Sequence, residues 1–167
     1  MAGYGSNEPS PIDWALMPLR KYAAFKGRSP RAEYWWFYLG TVIVGVILGF
    51  LGGITGIGRS LADAANLGLF VPWIAVTVRR LHDTDRSGWW MLGLIGGAVA
   101  LIAFMAMLGA SLTASRAGFF TMGIVAILAI GGAMITFFVF MVLPGTEGSN
   151  RYGADPYGPG DLEEVFA

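Results

Sequence analysis

The chain alternates long apolar runs with short polar knots. No charge stands between Glu33 and Arg59, and none from Trp89 to Ala110 or from Ala117 to Leu143. Each run holds the roughly 20 apolar residues that a helix needs to cross the hydrocarbon core. Leu61–Val78 is weaker, with Asp63 and Asn66 near its start and Pro72 in its middle. Flanking arginines can snorkel and neighbouring helices can cover a kink, so it is read as a crossing. A re-entrant hairpin is the competing reading. The pattern therefore predicts an all-α membrane protein with four transmembrane helices, at about 34–57, 61–81, 89–110 and 117–143.

The flanks follow from local signals. Residues 1–9 are small and polar, a composition that favours a disordered arm. Ser10-Pro11-Ile12-Asp13 has a cap, a proline suited to the first helical position and a capping-box carboxylate. A short N-terminal amphipathic helix and turn is expected over 10–28. It either lies on the membrane surface with Trp14 at headgroup depth or packs under the bundle. Ser29-Pro30 repeats the start signal and opens the four-helix domain, 29–144. Trp35, Trp36, Trp89 and Trp90 stand where interfacial aromatic belts form. Residues 145–167 are rich in Gly and Pro, end acidic, and read as an irregular tail with room for one short helical turn.

Basic residues set the orientation. Arg20, Lys21, Lys26, Arg28, Arg31, Arg79, Arg80, Arg86 and Arg151 fall on one side of a four-span topology, and Arg59 and Arg116 on the other. This bias places both termini and the Arg79–Trp90 turn in the cytoplasm. The first 30 residues hold no apolar core of a cleavable signal, so the first span is expected to remain as an anchor. Arg28-Ser29 before Trp35-Trp36 is echoed by Arg86-Ser87 before Trp89-Trp90. Two parallel helical hairpins would explain this, and so would the general need for such residues at any membrane boundary.

Composition sharpens the picture by exclusion. Eleven basic and eleven acidic residues cancel, which gives no reason to expect a nucleic-acid partner. One histidine and no cysteine make a zinc site improbable, and no cofactor motif is present. The mean hydropathy is +0.60 and 55% of residues are hydrophobic, high values for a soluble chain of 167 residues.

Chemistry concentrates in Arg79–Trp90, RRLHDTDRSGWW. Arg79 and Asp83 are four apart and can pair on one helix face. His82, Asp83 and Asp85 could form a proton or ligand site. The preferred reading is a structural clasp, with arginines on lipid phosphates and helix-end carbonyls and Asp83 or Asp85 capping the next helix. A carboxylate at the membrane edge needs a partner, so Glu33 is expected to pair with Arg79 or Arg80, or locally with Arg31 or Arg28. Gly45, Gly49 and Gly53 in span one, and Gly93 and Gly97 in span three, suggest close pairing of those spans or a homodimer through span one.

Three motifs, FKGRSPRAEYWW, VRRLHDTDRSGWW and NRYGADP, in this order and at these spacings, resemble the bacterial integral-membrane family called "domain of unknown function 805". The resemblance runs from about Phe25 to Pro156. It implies a small helical protein of the bacterial inner membrane, with no established activity to carry over. Its signature positions would be Gly27, Arg28, Arg31, Glu33, Tyr34, Trp35, Arg79, Arg80, His82, Asp83, Ser87, Gly88, Trp89, Asn150, Tyr152, Gly153 and Pro156. All three motifs fall on one predicted side of the membrane. They are therefore expected to form one polar cluster, in which Asn150, Arg151 and Asp155 join Arg28, Arg31, Glu33, Arg79, Arg80, His82, Asp83, Asp85 and Arg86.

The function expected is non-enzymatic: an accessory, scaffold or lipid-contacting subunit of a membrane assembly. Its partners would be membrane lipids, anionic ones included, and other membrane helices. A small transporter or channel is the alternative and would need a polar cavity near Pro72 and Asn66. A lipid-headgroup enzyme using His82 and Asp83 is the third reading.

Overall fold

The computed structural model describes residues 9–55, 58–112 and 116–156. Five helices follow in order: α1 (Pro11–Arg20), α2 (Arg31–Thr55), α3 (Gly58–Asp83), α4 (Trp89–Leu112) and α5 (Arg116–Val142). The last four are long and apolar enough to cross a membrane. Their outer faces expose large side chains such as Phe50, Leu67, Ile127 and Leu128. Such continuous apolar surface is stable only in lipid. Most of the expected arm, 1–9, and the expected terminal helical turn lie outside the described residues.

The weak second span resolves as one continuous helix of 26 residues through Pro72. At 1.5 Å per residue it is about 39 Å long, enough to cross without re-entering. Pro72 removes one helical hydrogen bond, but it is wholly buried, so neighbouring helices cover the interruption. Helix α2 begins one turn before Tyr34, because Ser29-Pro30 presets the first helical geometry.

The helices form two antiparallel hairpins, α2/α3 and α4/α5, each packed along its own length. Among the described residues contact between the hairpins is sparse, and α2 makes none with α4. The expected pairing of spans one and three is not seen among them. A methyl group built on Gly45, Gly49, Gly53, Gly93 or Gly97 would meet nothing within 4 Å. These glycines face open space because another element, a polar clasp described below, brings the hairpins together.

The buried apolar core is small and lies at one end of the bundle. Tyr34, Phe37, Val76, Leu81, Met91 and Met141 compose it, with Trp35 and Trp73 packed against it. Trp35 is half-buried. Its ring meets Tyr34, Tyr38 and Phe138 edge-on at 5.4–5.9 Å. Trp36, Trp89 and Trp90 are exposed, as interfacial anchors would be. Starting at this core, the two hairpins bound an apolar cleft of about 500 Å³.

Helix α1 starts on the capping box expected at Ser10 and Asp13. The Ser10 hydroxyl, then its amide, holds the Asp13 carboxyl below the ordinary carboxylate range. That contribution is present above the unfolded-state value and fades as pH falls through the lowered one. The helix packs on α2 and α3 rather than lying alone on a surface. Ala15 approaches Gly40, while Lys21 faces Glu33 at 4.0 Å, so α1 runs antiparallel to α2. The Tyr22 hydroxyl donates to the Gly68 carbonyl of α3 at 2.7 Å. Trp14 is half-buried by this packing.

Gly88 marks where the second hairpin joins the first. A methyl group there would lie 2.9 Å from Val78 Cγ1. Gly88→Ala is expected to lower unfolding stability in mild detergent by about 1–3 kcal/mol through overpacking. Val78→Ala in the same chain should recover part of it. An unchanged unfolding midpoint in Gly88→Ala would contradict this contact.

Candidate functional site: a buried arginine–carboxylate clasp

Helix α3 ends in Arg79-Arg80-Leu81-His82-Asp83, and all five residues are buried. A buried charge is tolerated only with a partner, so each must be accounted for. The Asp83 carboxylate lies between two guanidiniums. Arg28 Nε donates to Oδ1 at 2.9 Å, and Arg80 Nη1 donates to Oδ2. Arg79 instead turns to Glu33, with Nη2 2.9 Å from Oε1. Pairing of Arg79 with Asp83, which the four-residue spacing suggested, does not occur. The carboxylate that completes Arg79 comes from α2, and Asp83 faces the turn before α2.

The Arg79–Glu33 approach is close but off the axis of a hydrogen bond. Lys21 adds a second charge 4.0 Å from Glu33 Oε2, from the exposed side. Arg31, two residues earlier on α2, is exposed. The Arg79–Glu33 pairing ties α2 to α3 across the bundle.

The remaining guanidinium hydrogens reach main-chain carbonyls. Arg80 donates to Met141 O at 3.2 Å and to Leu143 O, at the C-terminal end of α5. Helix ends leave carbonyls without partners and carry partial negative charge, so a cation there satisfies both. Arg28 donates to Thr146 O and Gly148 O. Neither arginine is free for lipid phosphate. Two arginines and one aspartate thus join the turn before α2, the end of α3 and the chain after α5.

The tail returns over this knot. Thr146 donates to Asp83 O from its amide at 2.8 Å and from its hydroxyl at 3.2 Å. Asn150 Nδ2 donates to His82 O at 2.9 Å, and Asn150 and Gly153 form a small antiparallel bridge. Tyr152 stacks on the His82 ring, with centroids 3.9 Å apart and planes 2° from parallel. His82 Nδ1 lies 3.1 Å from the Gly27 carbonyl, which can only accept, so the proton sits on Nδ1. Arg151 pairs with Asp85 at 3.0 Å, and Asp155 accepts from the Gly148 amide at 3.0 Å. Arg86 stands 4.3 Å over the Phe140 ring and donates to Thr84 O.

The structure therefore brings together Arg28, Glu33, Arg79, Arg80, His82, Asp83, Asp85, Asn150, Arg151 and Asp155. It does not use Asp83 or Asp85 to cap α4. The first turn of α4 bonds to the Ser87 and Gly88 carbonyls instead. Sequence reading missed Thr146 and Gly145. A methyl on Gly145 would lie 2.7 Å from Asp83 Cγ, so the tail can pass only with no side chain there. The Pro144-Gly145 pair after the last apolar run is the signal that could have pointed to it.

A family model described as "Protein of unknown function (DUF805)" matches residues 22–154, which include every segment of the clasp. The chain belongs to the DUF805 family. Among similar proteins, "Inner membrane protein YhaH" of Escherichia coli (strain K12) is 36% identical over 150 residues, covering 87% of this chain and 97% of that protein. "Inner membrane protein YhaI" of the same strain is 35% identical, covering 87% and 96%. "Uncharacterized protein YiiR" of that strain is 32% identical, covering 79% and 85%. No solved structure matches. With four apolar helices and relatives of this kind, the chain is a multi-pass protein of the bacterial inner membrane. The first two motifs of the DUF805 resemblance meet at Asp83, and the third packs on the neighbouring His82 and Asp85.

Removing one partner of a buried ion pair leaves the other uncompensated, at a cost of about 3–5 kcal/mol. Asp83→Asn is expected to lose stability of that order in detergent unfolding. Adding Arg28→Met, which removes one stranded cation, should restore part of it. Equal unfolding midpoints for the wild type and Asp83→Asn would show that the clasp does not hold the fold.

Proposed function

We propose that this protein is a non-enzymatic, lipid-contacting scaffold of the inner membrane, built to present rigid helix faces to lipid and to other membrane proteins. The observation that carries the reading is how the reactive side chains are spent. Asp83 is enclosed by two guanidiniums, and His82 is held by the Gly27 carbonyl and covered by Tyr152. A general acid or base must reach a substrate proton at hydrogen-bond distance, and these groups face their own chain. The cleft between the hairpins is lined by apolar and aromatic side chains such as Leu94, Ala98 and Phe137, unlike a transport path.

In this reading the clasp and both termini face the cytoplasm, as the distribution of basic residues favours. The exposed glycine-bearing faces of α2 and α4 are where an accessory subunit would meet other helices. The purified protein is placed in vesicles of phosphatidylethanolamine and phosphatidylglycerol, alongside His82→Ala. The expected result is no headgroup release by either protein, with His82→Ala showing only a lowered unfolding midpoint. Headgroup release by the wild type that His82→Ala abolishes would overturn the proposal in favour of an enzyme.

A further inference from the structure

Among the described residues, none fills the cleft between the hairpins. It is bounded by Tyr34, Trp35 and Tyr38 of α2, Trp73 of α3, and residues of α4 and α5. On α5 its lining runs from Ile130 to Met141, which at 1.5 Å per residue is about 16 Å. That is about half of a 30 Å hydrocarbon core, the depth of one leaflet. One end lies at the clasp, because Met141, which lines the cleft, also receives the Arg80 hydrogen bond. Water does not fill an apolar cavity, and an empty one forfeits dispersion contacts. Hydrocarbon is the solvent at this depth.

We propose that this cleft holds one acyl chain of a phospholipid from the leaflet on the clasp side. The volume of about 500 Å³ suits a single long chain and not a helix. Small residues make the space: Ala98 on α4 and Ala133 on α5 stand where larger side chains would fill the cleft. A cation for the phosphate stands at the same end. Arg86 over Phe140 has no carboxylate within ion-pair distance among the described residues. The bound chain then completes the packing that α2 and α4, which do not touch among the described residues, leave open. This inference rests on the scaffold reading and gives it a ligand.

The test uses the full chain in bilayer nanodiscs containing phosphatidylglycerol with a diazirine at mid-chain. The protein is transferred to excess detergent, which disperses the surrounding lipid, and then irradiated. Peptide mass spectrometry should find adducts on cleft residues such as Trp73, Met134 and Phe137. Outward residues Leu67, Ile127 and Leu128 should be spared. Ala98→Phe combined with Ala133→Phe should abolish the adducts, while the outward control Ile127→Phe should keep them. Adducts spread evenly over outward faces, or crosslinks from a second copy of the chain inside the cleft, would overturn the proposal. If the filled variant does not fold, the wild-type adduct pattern alone decides. Loss of the cleft lipid leaves the scaffold reading standing, whereas headgroup turnover removes that reading and leaves the cleft lipid in place.

Discussion

One carboxylate holds this protein together. Asp83 sits out of water with a guanidinium on each oxygen, and each guanidinium continues to main-chain carbonyls of another segment. Desolvating three charges is costly, and it is tolerated only because nearly every donor and acceptor is used. The cost of leaving any of them unpaired defines the geometry. The turn before α2, the end of α3 and the chain after α5 can meet in few other ways.

This arrangement solves a problem particular to membranes. Lipid tails are as apolar as leucine, so the hydrophobic effect does little to bring helices together within the bilayer. Here the hairpins touch sparsely along the hydrocarbon-facing helices, and the small core and the polar network concentrate at one end. The bundle behaves as two rods pairs tied at one end. Such a fastening permits the hairpins to diverge beyond the knot, which is where the cleft lies. It also explains why the glycine stripes meet nothing among the described residues: nothing requires α2 and α4 to approach closely.

The helices were legible because hydrocarbon imposes a strict length and composition on whatever crosses it. Even the polar, proline-bearing third helix followed from the balance of basic residues. The Glu33 partnership with Arg79 was also legible, since a carboxylate at the membrane edge needs a cation and few were near. The rest had no local signature. Asp83 looked like a partner for Arg79 at one helical turn, but its outside partner is Arg28, 55 residues away. Arginine-to-carbonyl bonds recruit main-chain atoms, which every residue carries alike. Spaced glycines mark a face that can pack closely without saying whether another helix is there. The motifs pointed to a common location, and only their three-dimensional meeting showed that the first two share Asp83 while the third covers His82.

The return of the tail onto the end of α3 is the most exposed part of this account, because irregular chain beside a membrane has no other reason to be ordered. Amide hydrogen exchange of the protein in lipid nanodiscs tests it directly at Thr146, whose N–H donates to Asp83 O at 2.8 Å, and at Gly153, which donates to Asn150 O at 3.1 Å. The account predicts strong protection at both amides, vanishing together in Asp83→Asn. Exchange at the rate of an unstructured peptide in the wild type would contradict it.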